Sequence, residues 1–428
     1  MEIYVVQKGD TIWSIAQRFG VSPQRIISDN GIMNPQSLVE GQALVVLIPE
    51  ITYVIRAGDT LNGIADKYGV TAMEILQNNP SLASSPSLWA GQPIVIKFQG
   101  EKNRDIVVNG YAYPYIQREL LERTLPFLST LTLFGYGFTM EGELIPINDQ
   151  PLIDLAYRFQ TAPIMLLSSI KEDGNFDGQR ASRLFQDIPF QEKILSDVIA
   201  TMKQKGYLGL DVDFEYIAPE DADAFLSFLR RTAEMMHAEG FFINTDLAPK
   251  TSADQKGLLY EAHNYRQIGE ISDTVLLMTY EWGYTYGPPM AVAPLNHVEN
   301  VVSYAVTEIP PEKIMLGLPN YGYDWILPYE RGITRATSIG NQYAVEIAAK
   351  NHVDIQFDET SQSPYFEYWG RDGNKHVVWF EDARSMQGKF NLIDRFGLLG
   401  GGYWNIMKPF YQNWALLNSR YRIRKHPL

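Results

Sequence analysis

The sequence predicts an α/β protein built on a (β/α)8 barrel, with a small inserted α+β subdomain and two small βααβ modules ahead of the barrel. Three observations predict it. The first hundred residues contain one pattern twice, and after Gly100 eight β-type segments alternate with helix-type segments. The seventh of these pairs is interrupted by a stretch too long for a loop. The expected units are therefore residues 1–48, 51–97 and 101–428, with the insertion at about 324–382.

The repeat comes first. "YVVQKGDTIWSIAQRFGVSPQRII" from Tyr4 aligns without gaps on "YVIRAGDTLNGIADKYGVTAMEIL" from Tyr53, and each copy runs on through Asn30 or Asn79 to "EGQALVVLIP" or "AGQPIVIKF". Within a copy a short β run leads to a Gly-Asp-Thr turn and an amphipathic helix (Ile12, Ile15, Ala16 and Phe19 in the first), then a second helix and a closing β run. Thr11 and Thr60 stand where a helix N-cap belongs. Each copy resembles the LysM module, which implies binding of N-acetylglucosamine-containing glycans. Two such modules would raise the local concentration of a barrel on an insoluble polymer without touching its chemistry.

The eight β candidates begin at Ile106, Leu131, Pro163, Gly209, Phe242, Thr274, Lys313 and Gly397. Helical stretches separate them, two of which end at Gly206 and Gly240, where a C′ residue belongs. Inside the insertion, "YFEYWGRDGNKHVVWFED" reads as a hairpin turning at Asp372-Gly373.

The fourth β candidate, "GLDVDFEY", places Asp211, Asp213 and Glu215 at alternate positions. With a period of two, Leu210, Val212 and Phe214 face the helices and the three carboxylates face the barrel interior. Burying unpartnered carboxylates costs several kcal/mol each, so this face points to chemistry. Barrel sites lie at the C-terminal strand ends, which puts Glu215 at the mouth, Asp213 below it and Asp211 deepest. Like charges so close favour a shared proton and a protonated Glu215 near neutral pH.

This segment resembles the D-G-x-D-x-D-x-E signature of glycoside hydrolase family 18, with Leu208 in place of the leading Asp and Phe214 in place of the usual Trp. The resemblance implies Glu215 as acid/base, Asp213 turned toward the substrate N-acetyl group, and Asp211 holding or exchanging a proton with Asp213. "MTYE" resembles the family's M-x-Y-D, implying Tyr280 as a hydroxyl donor to the acetamido carbonyl, with Glu281 where the family has Asp. Trp404, after the run "GGG", matches the floor tryptophan beneath the reacting sugar. "YAYPY" and "YGYDW" either line sugar subsites or stabilise an aromatic barrel mouth; Tyr111 and Tyr323 are the contacts expected from them. "LLSSIKEDG" lacks the family's S-x-G-G.

Composition narrows the partners. Lys plus Arg is 36 against 50 for Asp plus Glu, a balance of −14 that opposes nucleic acid and anionic membranes. With no cysteine, disulfides and thiol nucleophiles are excluded. The six histidines lack metal spacing, so no metal or cofactor is expected. No membrane span and no Sec-type signal is read.

Over the whole chain the order of modules and motifs resembles the cortical-fragment-lytic enzymes of spore-forming bacteria. That implies an N-acetylglucosaminidase of spore cortex peptidoglycan, placed in the spore coat and cortex without Sec export and working by the substrate-assisted retaining route. The alternatives are a chitinase or chitooligosaccharide hydrolase, and a non-catalytic lectin, which would typically lack Glu215.

Overall fold

The computed structural model describes residues 1–426 apart from 86, 172, 173 and 372. Eight parallel strands form a closed barrel: β1 Arg104–Ala112, β2 Thr130–Phe138, β3 Ala162–Leu167, β4 Gly209–Val212, β5 Phe242–Leu247, β6 Thr274–Leu277, β7 Ile314–Pro319 and β8 Gly400–Trp404. Each pairs with its neighbours in sequence, and β8 closes onto β1. Leu210 and Val212 on β4 belong to the large core between the barrel and its helices, whereas Tyr111, Phe134, Leu166, Leu276 and Met315 form a separate cluster inside the barrel. The glycine run of β8 is a packing requirement. A Cβ on Gly400 would lie 1.8 Å from the Val107 carbonyl oxygen, and one on Gly402 would lie 2.1 Å from Leu276 Cδ1.

The insertion leaves the barrel directly after β7. Its antiparallel sheet runs in the order Thr337–Ile339, Gly322–Leu327, Lys375–Trp379, Ser363–Trp369, Gln356–Asp358, starting just ahead of the expected Asp324. The helix Asn341–Asn351 completes a small core with Ala344, Ile347, Phe366 and Val378. Ser363–Trp369 and Lys375–Trp379 form the expected hairpin, with Trp369 opposite Lys375. Asp372, expected at its turn, lies outside the described residues.

Both N-terminal modules are βααβ. The first pairs Glu2–Val5 with Ala43–Val46 around the helices Ile12–Phe19 and Pro23–Asn30, and the second pairs Pro49–Val54 with Pro93–Phe98 around Leu61–Tyr68 and Ala72–Asn78. Thr11 and Thr60 cap the first helix of each, accepting from the Ser14 and Gly63 amides at 3.0 Å. The repeated asparagine ties the second helix to the closing strand. Asn30 Oδ1 accepts from the Val45 amide at 2.7 Å and its Nδ2 donates to Val45 O at 2.8 Å; Asn79 makes the same pair with Val95.

The modules do not hang from a flexible tether. The strand Ala43–Val46 is apolar on both faces: Leu44 enters the module's own core, while Ala43 and Val45, with Leu47, join the barrel's. Glu40 O accepts from the Ile355 amide at 2.9 Å, and Gly41 O accepts from Arg384 at 3.1 Å. The second module docks through Gln77 to Pro126 O at 2.9 Å and through Asn78, which accepts from Asn418 at 2.8 Å. Arg25 bridges the two modules by donating to Asn78 O. Burial of apolar surface is what fixes them, and periodicity within a single module does not reveal it.

Candidate active site

Regular pairing of β4 ends at Val212, sooner than the run to Tyr216 suggests, but the alternation continues beyond it. Phe214 turns outward into a nest of Phe185, Phe225 and Phe228, with ring centroids 5.2 to 6.5 Å away. Asp211 is fully buried, Asp213 is buried and Glu215 is half-buried at the mouth. Tyr216 follows at φ 56°, a left-handed conformation that turns the chain away immediately after the acid. Buried His263 holds this segment from behind. Its Nδ1 accepts from the Ala248 amide at 2.8 Å and its Nε2 lies 3.2 Å from Phe214 O, with burial pushing its pKa down to about 4. A neutral imidazole donating from Nε2 fits both contacts.

A fourth carboxyl joins the array, one the sequence reading passed over. Asp246 on β5 is buried and lies beside Asp211 and Asp213, whose charges, after burial itself, hold its pKa well above the usual range. Asn244, two residues earlier on the same inward face, donates from one Nδ2 to Asp211 at 2.7 Å and to Asp246 at 3.0 Å. Thr274 fixes that amide's orientation by donating to its Oδ1 at 2.8 Å. Tyr111 completes the group, with its hydroxyl on Asp246. Tyr111 is only 1% exposed, so this residue, expected at a sugar contact, is instead buried with its hydroxyl on the carboxyl array.

Desolvation dominates the electrostatics. Burial raises Asp211 to about 6 against the hydrogen bond from Asn244, and raises Asp213 well above the carboxylate range, helped by the charges of Glu215 and Asp211. Glu215 is pushed up to about 7, by burial first and by Glu281 second. These groups titrate as a set, holding protons among them near neutral pH.

Above the array, β6 ends at Leu277 and the chain turns through Met278–Glu281, with Glu281 at φ 65°. Tyr280 is half-buried; burial first, and then the charges of Asp246, Asp213, Glu215 and Glu281, raise its pKa well above the usual range. Glu281 accepts from the hydroxyls of Tyr321, on the connection into the insertion, and, at 2.9 Å, Tyr323, on the insertion's first strand. Trp404 ends β8, its ring 5.7 Å from Tyr111 and 5.0 Å from Phe134, on the floor of the same cleft.

The sequence matches the family described as Glycosyl hydrolases family 18 over residues 165–408, and the LysM domain over 4–47 and 53–97. The chain belongs to glycoside hydrolase family 18. This family 18 hydrolase is 41% identical to the cortical fragment-lytic enzyme of Bacillus subtilis (strain 168), over 99% of each chain. Among solved structures it resembles the spore cortex-lytic enzyme SleL of Bacillus cereus, with a TM-score of 0.84 and 37% identity over 99% of both chains. The SleL of Bacillus megaterium QM B1551 gives a TM-score of 0.83 at 37% identity, over 99% of this chain and 98% of that one.

In the family 18 hydrolase the fold thus brings Asp211, Asp213, Glu215, Tyr280, Glu281, Tyr323 and Trp404 around one cleft, and adds Asp246 and Asn244. No helix among the described residues is long and apolar enough to cross a membrane.

Proposed function

We propose that this glycosidase cleaves the β-1,4 bond that follows N-acetylglucosamine in spore cortex peptidoglycan during germination, by substrate-assisted catalysis with retention. The observation that carries the chemistry is the grouping of Glu215, its pKa pushed up to about 7 mainly by burial, with buried Asp213 and Tyr280. Glu215 gives its proton to the leaving glycosidic oxygen as the substrate's own acetamido oxygen attacks the anomeric carbon. Asp213 Oδ1, buried without a hydrogen-bond partner among the described residues, accepts from the acetamido N–H and balances the developing oxazolinium charge. Tyr280 donates to the acetamido oxygen and orients it. Glu215, now a carboxylate, takes a proton from the water that opens the ring. Asp211 and Asp246 hold the proton that Asp213 needs as it changes partners.

Glu281, whose charge acts on Glu215, is already held by two tyrosine hydroxyls and is poorly disposed to act as a direct nucleophile. The relatives' name, cortical fragment-lytic enzyme, supports cortex as the polymer. The LysM modules and the cleft would both contact peptidoglycan, and the working place is the spore coat and cortex.

The test uses purified cortex fragments and two inhibitors. Mass spectrometry should find products with new reducing N-acetylglucosamine ends, a thiazoline analogue should inhibit strongly, and a 2-fluoro sugar should label no carboxylate. Covalent labelling of Asp211, Asp213 or Glu281 would overturn the substrate-assisted route, and release of reducing N-acetylmuramic ends would overturn the bond specificity.

A further inference from the structure

Beside Trp404 the cleft wall opens into a pocket of about 100 Å³ lined by Glu281, Tyr321, Tyr323, Ser338, Asn405 and Lys408. The acid of this pocket is already engaged, since Glu281 accepts from Tyr321 and Tyr323. Its cation is not. The Lys408 ammonium donates to Ser338 Oγ at 3.0 Å and forms no ion pair with a carboxylate among the described residues. Burial alone lowers its pKa, with no neighbouring acid opposing the shift.

Lys408 is also held in place. Its carbonyl accepts from Asn320 Nδ2 at 2.8 Å, and its stem runs close over Gly340, where an added Cβ would lie 3.6 Å from Lys408 Cβ and Cδ. An ammonium offers three donors, and among the described residues only one is used. In a chain with fourteen more acids than bases, a half-buried cation left without an acid beside the floor tryptophan is poised for an acceptor brought by the substrate.

The proposed substrate supplies one. In an alternating glycan the sugar on either side of a reacting N-acetylglucosamine is a muramyl residue. Its C3 oxygen carries a lactyl unit that ends in a carbonyl oxygen, whether closed as a lactam, joined to a peptide or free as a carboxylate. Chitin has only a hydroxyl at that position. We propose that Lys408 and its pocket are a subsite for the C3 lactyl carbonyl of the muramyl residue adjoining the cleaved bond, selecting muramyl glycan over chitin. This inference rests on the cortex reading above.

The test compares full-length wild type with Lys408→Met on two soluble probes, a muramyl tetrasaccharide from muramidase-digested cortex and N-acetylchitotetraose. The variant should lose about ten- to a hundred-fold more kcat/KM on the muramyl probe than on the chitin probe, mostly through KM, as befits one charged hydrogen bond. Titration of the muramyl probe into the Glu215→Gln and Glu215→Gln/Lys408→Met proteins should show the same loss of affinity without turnover. Equal losses on both probes would mean that Lys408 only pins the insertion to the barrel through Ser338, and no loss on either would mean that the ammonium is idle; each overturns the inference while leaving the cortex reading intact. A wild type that cleaves N-acetylchitotetraose but not the muramyl probe would overturn the cortex reading and this inference with it.

Discussion

The Tyr111 hydroxyl donates to both carboxyl oxygens of Asp246, at 2.8 and 3.0 Å, crossing the barrel interior from β1 to β5. Tyr111→Phe would leave that buried carboxyl short of a donor. The expected outcome is a loss of ~1–3 kcal/mol in urea unfolding together with a lower kcat and a nearly unchanged KM. A raised KM at unchanged stability would instead return Tyr111 to the sugar-contact role.

Glu215→Gln keeps the side chain's size and hydrogen-bonding reach but removes the transferable proton. Hydrolysis should fall by at least ~10²–10⁴-fold, while binding of cortex fragments by calorimetry stays near wild type. Turnover within a few-fold of wild type would end the assignment of the acid.

The alkaline limb of the pH profile should lie near pH 7, because Glu215 works protonated and its pKa is pushed up to about 7. Glu281 contributes to that rise through its negative charge. Glu281→Gln removes the charge, makes ionised Glu215 easier to form, and so should move the limb to lower pH. A limb that stays in place would show that burial alone sets the acid.

Gly41 and Gly91 occupy the same position in the two modules, at φ 84° and 91°. A Cβ at Gly41 would lie 1.8 Å from Ile355 O of the insertion, whereas at Gly91 it would meet nothing within 4 Å among the described residues. Gly91→Ala should therefore cost only the left-handed strain, ~1–2 kcal/mol, and Gly41→Ala distinctly more, read as the difference between the two melting temperatures. Equal costs would mean that the first module is held less firmly than its contacts indicate.

The acid ladder of β4 was legible because three like charges at a period of two have no structural purpose, and the barrel was legible because eight strand–helix alternations leave few other architectures. Asp246 and Asn244 were passed over since each looks like an ordinary polar residue in "FINTDLAP". The signal was present nonetheless, for they too stand two apart on the inward face, one strand along. Tyr111 was misplaced for a different reason. An aromatic near a strand end is as suitable for a floor as for a wall, and only the position of Asp246 decides which. The docking of the modules lay beyond any local pattern, except that "ALVVL" is apolar on both faces and a lone two-stranded module has only one core to fill.

That docking changes what the LysM modules contribute. Only residues 99–103 separate the last module strand from β1, and Gln99 is itself hydrogen-bonded back to Ile48. A module on a loose leash lets its catalytic partner roam over every bond within a sphere. Two modules fused to the barrel and its insertion behave as a caliper: wherever they grip a glycan strand, the cleft meets it at one fixed distance and orientation, so the spacing between held and cut sugars is set by the fold.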